Sequence, residues 1–213
     1  KSEFLQAYIL SMMINYSPLD VNFMLVDFKG GDIAIPFLDM PHVSAVVSNL
    51  TKSLLYRAIV SLKAESTKRQ KLLTNTAFKL GIDKIDINSY QKLYHEKKVS
   101  EPLPHLIIVV DEFAQFKNQH AEYMQSLIDI AQIGRSLGIH LILATQKPAG
   151  VVDGQIWSNS RFKICLKVAD REDSKAVLQR DEAAYISNAG RAYLQVGYNE
   201  LFTGLQAGYS RAK

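Results

Sequence analysis

Cysteine occurs once in the 213 residues, at Cys165. A single thiol cannot close an internal disulfide, so the chain is expected to fold without covalent staples, in a reducing compartment. A chain of this length can bury roughly 70% of its unfolded surface, enough for a core of its own. No apolar run approaches the ~18 residues of a membrane span; Leu106-Ile107-Ile108-Val109-Val110 is among the longest. The opening Lys1-Ser2-Glu3-Phe4 does not have the shape of a secretory leader. There is no internal repeat and no low-complexity tract. With 47% hydrophobic and 22% charged residues, the composition excludes disorder, collagen and disulfide scaffolds. His42, His95, His105, His120 and His140 show no metal-ligand spacing, so no zinc site is expected. The G-x-S-x-G elbow of serine hydrolases is missing too.

Charge of one sign is scarce except in one place. The net charge is +4, but residues 63–98 hold nine Lys/Arg against four acids, leaving the remainder at −1. A basic stripe can mark a nucleic-acid footprint. It reads more simply as the solvated face of a long helix followed by an excursion.

What is present is an alternation of short apolar runs with helix-period segments, the mark of a βαβ protein with a mostly parallel sheet. Strands are predicted at Asn22–Phe28, Val43–Ser48, Leu106–Val110, Ile139–Thr145 and Arg161–Val168. Ala192–Gly197 and Leu201–Gln206 flank Tyr198-Asn199-Glu200 and read as an antiparallel hairpin at the sheet edge. Helices are predicted at Ser2–Asn15, Thr51–Thr74, near Asn88–Lys97, at Ala121–Leu137, and as short pieces at Glu172–Leu178 and Asp181–Ile186. Met12, Met13 and Met24 read as core filler.

Four segments carry candidate chemistry. Leu106–Val110 ends in Asp111-Glu112-Phe113, two carboxylates at the end of a buried strand, where open α/β sheets bind ligands. Such a pair can hold Mg²⁺ with one carboxylate and take a proton from an attacking water with the other. The plain alternative is that Asp111 caps a turn and Glu112 faces water. Lys1-Ser2 opens an amphipathic helix, as the last two residues of G-x-x-x-x-G-K-[ST] do, although the glycine half is not in the sequence. Ile139–Thr145 is followed by Gln146, which could reach a γ-phosphate or its water if this strand lies beside that of Asp111; a simple strand-end amide is the alternative. Asp27-Phe28-Lys29-Gly30-Gly31 could cradle a phosphate, but reads first as a turn.

Together these residues resemble the FtsK/SpoIIIE-type motor ATPases. The resemblance rests on Asp27-Phe28-Lys29-Gly30-Gly31, on Leu103-Pro104-His105 leading into Val110-Asp111-Glu112-Phe113-Ala114, and on Arg135-Ser136-Leu137-Gly138 running to Gln146-Lys147-Pro148. It spans Lys1 to about Gln206. Residues 150–160 and 190–197 are similar to the EssC-like branch, the membrane-anchored motors of type VII secretion in Gram-positive bacteria.

The resemblance implies a RecA-like P-loop core, α/β with the parallel sheet flanked by helices and a C-terminal hairpin. It makes residues 1–213 a single ATPase domain cut at its Walker A loop, with a basic helical excursion near 63–98. It implies ATP and Mg²⁺, with Lys1, Ser2 and Asp111 binding nucleotide, Ser2 and Asp111 as metal ligands, and Glu112 and Gln146 as catalytic residues. Family members work as rings, so sibling ATPase domains or subunits are expected partners, one of them supplying an arginine; Arg135, Arg161 and Arg191 are candidates. Small helical secreted proteins are the implied cargo, and the implied place is the cytoplasmic side of the bacterial cell membrane, with the anchor outside these residues. The alternatives are a DNA translocase of the same superfamily and a degenerate docking domain. DNA pumps add a winged-helix module after the motor, and nothing similar follows Gln206, so DNA is not expected as a partner.

Overall fold

The computed structural model describes residues 1–28, 33–48, 51–198 and 200–209. They form two compact units, Ser11–Ala144 in one and Lys1–Leu10 with Thr145–Lys213 in the other.

The first unit is built on a four-stranded parallel sheet in the order β2-β1-β3-β4, with β1 at Val21–Asp27, β2 at Val43–Ser48, β3 at His105–Asp111 and β4 at Ile139–Ala144. All three pairings are parallel. The middle strands β1 and β3 are buried almost throughout, as unalternated apolar runs require. The edge strands are more exposed; Ser44 and Ala45 of β2 face solvent. Helix α1 (Ser2–Asn15), which belongs to the second unit as far as Leu10, precedes β1 in the chain and buries Leu5, Gln6 and Ile9, one helical stripe. Helix α2 (Lys52–Leu80) starts where Thr51 accepts the Leu54 N–H, and ends at Gly81, whose N–H returns to the carbonyls of Ala77 and Phe78. It runs six residues beyond the predicted Thr74. The sequence 74–76 holds two threonines, which weaken the helical pattern, but Thr76 turns its hydroxyl onto the Leu72 carbonyl and Thr76 and Ala77 are buried.

Helix α3 (Ile87–His95) is capped by Asp86. Helix α4 (Phe113–Gln119) and a 3-10 turn at Ala121–Tyr123 lead into α5 (Met124–Leu137), which packs on β4 and α2. Gly138 closes α5 with φ +73°, and a Cβ there would lie 2.5 Å from Ile87 Cγ1. Arg69 of α2, buried at 3% exposure, donates through Nη1 to the Leu137 and Gly138 carbonyls, while its Nε meets Glu65 at 2.8 Å. One of the nine bases of 63–98 is therefore a helix-end cap in the core. Met24 is buried, and Met12 and Met13 are half-buried.

In the second unit, α6 (Gly154–Asn159) is capped by Asp153, α7 (Arg171–Leu178) by Asp170, and a 3-10 turn covers Glu182–Tyr185. Its sheet is antiparallel in the order β5-β6-β7, with β5 at Phe162–Leu166, β6 at Arg191–Val196 and β7 at Leu201–Gln206. The expected hairpin is present, but it pairs with β5 in a sheet of its own and does not border the parallel one. The alternation along β5 fits this: Lys163 and Cys165 are buried, Phe162 and Ile164 exposed, where a strand inside a parallel sheet would be covered on both faces. Cys165, Leu178, Ala183 and Ile186 make the core beneath the sheet.

Among the described residues no helix is long and apolar enough to cross a membrane.

Candidate functional site

The site is built at the carboxyl end of β3. Val110 ends the apolar run, and Asp111 follows it at 1% exposure. Its Oδ1 accepts the N–H of Glu112 at 3.0 Å. Glu112 then takes φ +58°, ψ +53°, a left-handed conformation outside the comfortable range of a residue with a Cβ. Strain of this kind persists where the surroundings over-determine the backbone, and it collects at functional sites. The surroundings here are aromatic. Phe113 and Phe116, a helical turn apart on α4, are each 1% exposed, and Phe28 meets Phe116 edge-on at 5.4 Å. His120 closes the bracket, buried and 6.1 Å from the Phe116 ring. Glu112 is only 8% exposed, so the reading in which it faces water does not hold, and the bond from its N–H to Asp111 Oδ1 spans one peptide and is not a turn cap.

The register brings a third carboxylate into line. Asp27, the last residue of β1, pairs with Asp111 across the sheet and is fully buried. Its Oδ2 accepts the Ile33 N–H at 3.2 Å. The sequence holds a signal for it: Val21–Val26 is an apolar run ended by an acid, as Leu106–Val110 is, although Asp27 reads there as the start of a turn. Lys29, Gly30 and Gly31 of that turn lie outside the described residues. On the other side of β3, Asp111 is opposite Ala144, so β4 is the neighbour the sequence anticipated for the strand leading to Gln146. Gln146 is exposed, within a tight turn in which the Lys147 N–H donates to Thr145 Oγ1.

Lys1 is the N-terminal cap position of α1: its carbonyl accepts the Leu5 N–H at 3.0 Å, and Ser2 is the first helical residue. Both are half-buried. Helix starts of this kind favour anions. Of the candidate arginines, Arg161 is paired with Glu200 at 2.7 Å, and Arg191 lies over Gly204, where a Cβ would come within 2.8 Å of its Nη2. Arg135 is exposed in the last turn of α5 with no partner among the described residues. Burial pushes the Cys165 thiol up to about 12, with Asp173 adding to it, so Cys165 is no nucleophile. No group of three or more metal-ligating side chains is found among the described residues.

The FtsK/SpoIIIE family profile matches residues 1–150. Over 212 residues the chain is 50% identical to the type VII secretion system protein EssC of Staphylococcus aureus (strain Mu50 / ATCC 700699). It is 46% identical over 214 residues to the ESX secretion system protein YukB of Bacillus subtilis (strain 168). All of this chain is covered in both cases, but it spans only 14% of either relative. Among solved structures, the cytoplasmic domain of the type VII secretion ATPase EccC of Thermomonospora curvata superposes with a TM-score of 0.87 at 30% identity, over 98% of this chain and 24% of that one.

Proposed function

The chain belongs to the FtsK/SpoIIIE family, and on that premise we propose that it is an ATP-hydrolysing motor domain of a type VII secretion ATPase. The observation that carries the reading is Asp111-Glu112, two buried carboxylates ending a parallel strand inside the family match, the second held in a strained backbone. Lys1 reaches the terminal phosphates at the start of α1, where the helix end favours their charge. The Ser2 hydroxyl and the Asp111 carboxylate are the groups that would hold Mg²⁺. Both are hard oxygen donors, and the burial of Asp111 favours a divalent partner for its charge. When bound, Mg²⁺ neutralises charge on the β- and γ-phosphates.

Glu112 takes the proton of the attacking water, and its left-handed backbone together with the Phe113–Phe116 anchor fixes where that carboxylate stands. Gln146 orients the water. Asp27 fixes the sheet end beside Asp111 through the Ile33 N–H. Arg135 is the arginine offered to a neighbouring subunit, since Arg161 is already committed to Glu200 and Arg191 to the face of its own sheet. A trans arginine is worth about 10³–10⁵ in rate in related phosphoryl transfers. In this reading residues 1–213 act as one ATPase domain on the cytoplasmic side of a membrane-anchored parent, beside sibling ATPase domains, with small helical secreted proteins as cargo.

The test is a version of the chain carrying a complete glycine loop ahead of Lys1. Glu112→Gln should bind ATP and Mg²⁺ as the unaltered protein does in calorimetry, but fail to release phosphate. Unchanged hydrolysis removes the role of Glu112, and loss of binding along with turnover assigns Glu112 to nucleotide binding instead.

A further inference from the structure

The outer edge of the parallel sheet is unguarded. Among the described residues β2 is one of the two terminal strands, and Val43–Ser48 carries no charged residue and no proline. Natural edge strands usually bear such features, because a bare edge offers its backbone N–H and C=O groups to any passing strand. Ser44 and Ala45 are exposed, although the Ser44 hydroxyl donates to the Phe23 carbonyl of β1. Between this strand and α2, over the sheet face that also shows Asn22, Met24 and Leu106, lies a groove of about 610 Å³ that Pro102-Leu103-Pro104 closes at one side.

The charges facing this groove do not cancel. Glu65 is held by Arg69, whose Nη1 donates to the Leu137 and Gly138 carbonyls. Lys68 stands 3.6 Å from Glu101, both exposed. Arg57 is exposed and makes no ion pair among the described residues. The surplus is a single cation, Arg57, near a strand that among the described residues pairs on one side only. We propose that the β2 edge receives an extended acidic segment of a partner polypeptide as an added strand, an acidic side chain of that segment meeting Arg57. Added strands take their affinity from main-chain hydrogen bonds and their selectivity from alternate side chains, which is what an uncharged edge with one flanking arginine provides.

The probe is a short fluorescent peptide alternating Glu and Val, titrated onto the chain by polarisation, with a Lys/Val peptide as its counterpart. Saturable binding of the acidic peptide is expected, with hydrogen-exchange protection gained at Val43–Ser48. Arg57→Glu should weaken it by about threefold, the scale of one exposed ion pair, and favour the Lys/Val peptide. Ser44→Lys and Ala45→Lys, both at exposed positions, should weaken both peptides by guarding the edge. No saturable binding, equal binding of the two peptides to the unaltered chain, or protection away from β2 would overturn the proposal. So would a dimer that Ala45→Lys dissolves and the peptide cannot compete, since the occupant would then be a second copy.

Discussion

At its amino end β3 begins with His105, whose Nδ1 lies 2.9 Å from Nε2 of His140 near the start of β4; at its carboxyl end it finishes with Asp111 and turns through Glu112. Both ends gather side chains that titrate, yet they differ in how those groups are satisfied. At the amino end the His105 N–H donates to the Asp20 carbonyl, which also accepts from Gln91. His95 meets the Asp20 carboxylate at 2.8 Å. Burial works to raise the pKa of Asp20, but hydrogen bonds from Ser17 and His95 outweigh it and hold it below its ordinary value. His105 is pushed down to about 4, first by burial and then by the neighbouring His140 and Arg69, and His140 is lowered in the same way. Here His105 and His140 share a hydrogen bond, and neither has a positive φ. At the other end two buried acids stand side by side in register, and the residue after them is strained. Residues that break local rules together are the ones to suspect of function, and this is the end at which α/β sheets bind ligands.

The largest effect expected on this contrast is on turnover. In the loop-complete protein, Glu112→Gln should lower phosphate release by about 10²–10⁴-fold, the usual share of a general base, while His105→Gln and His140→Gln leave it unchanged. A steady-state assay on the three variants decides whether chemistry belongs to one end of the sheet alone. Next in size is the frame of the amino end. Arg69→Met strips a buried donor from the Leu137 carbonyl and should cost about 3 kcal/mol in urea unfolding. A loss near zero would mean that water caps α5 equally well.

Smaller is the strain itself. Glu112→Gly should leave the protein about 1 kcal/mol more stable than Glu112→Ala, because glycine adopts φ +58° freely. Equal stabilities would show that the turn relaxes without cost. Smallest is a pH effect. His105 titrates near 4 when folded and near its ordinary 6.5 when unfolded. The unfolded chain therefore binds the extra proton between those values, and stability should be whole above about 6.5, fall as pH drops towards about 4, and flatten below it. His105→Gln should shallow that slope, as read from melting temperatures across the window.

Much of this was legible beforehand in particular residues. Leu106–Val110 had to be a covered strand, and Asp111-Glu112 had to stand at its end. Thr51, Asp86, Asp153 and Asp170 cap the helices that follow them, a local signal on which no predicted helix rested, and the six-residue α6 behind Asp153 was not predicted. Helix α4 escaped notice because its seven residues are too few for a periodic signal, and its stability comes from burying Phe113 and Phe116. Arg69 looked like one more member of a basic stripe, since nothing local distinguishes it from Lys68 or Lys71. The hairpin was legible from its turn and β5 as a strand, but the pairing of the two was not.

By itself the sequence determined the kind and order of the strands and longer helices, and the strand end on which the two carboxylates stand, because periodicity and apolar runs act over a few residues. Only the tertiary structure decided that Asp27 lies beside Asp111, that His105 meets His140, that Arg69 closes a distant helix, and that Glu112 is left-handed. Those outcomes depend on strand register and on what each side chain is buried against, and both are set when segments far apart in the chain pack together.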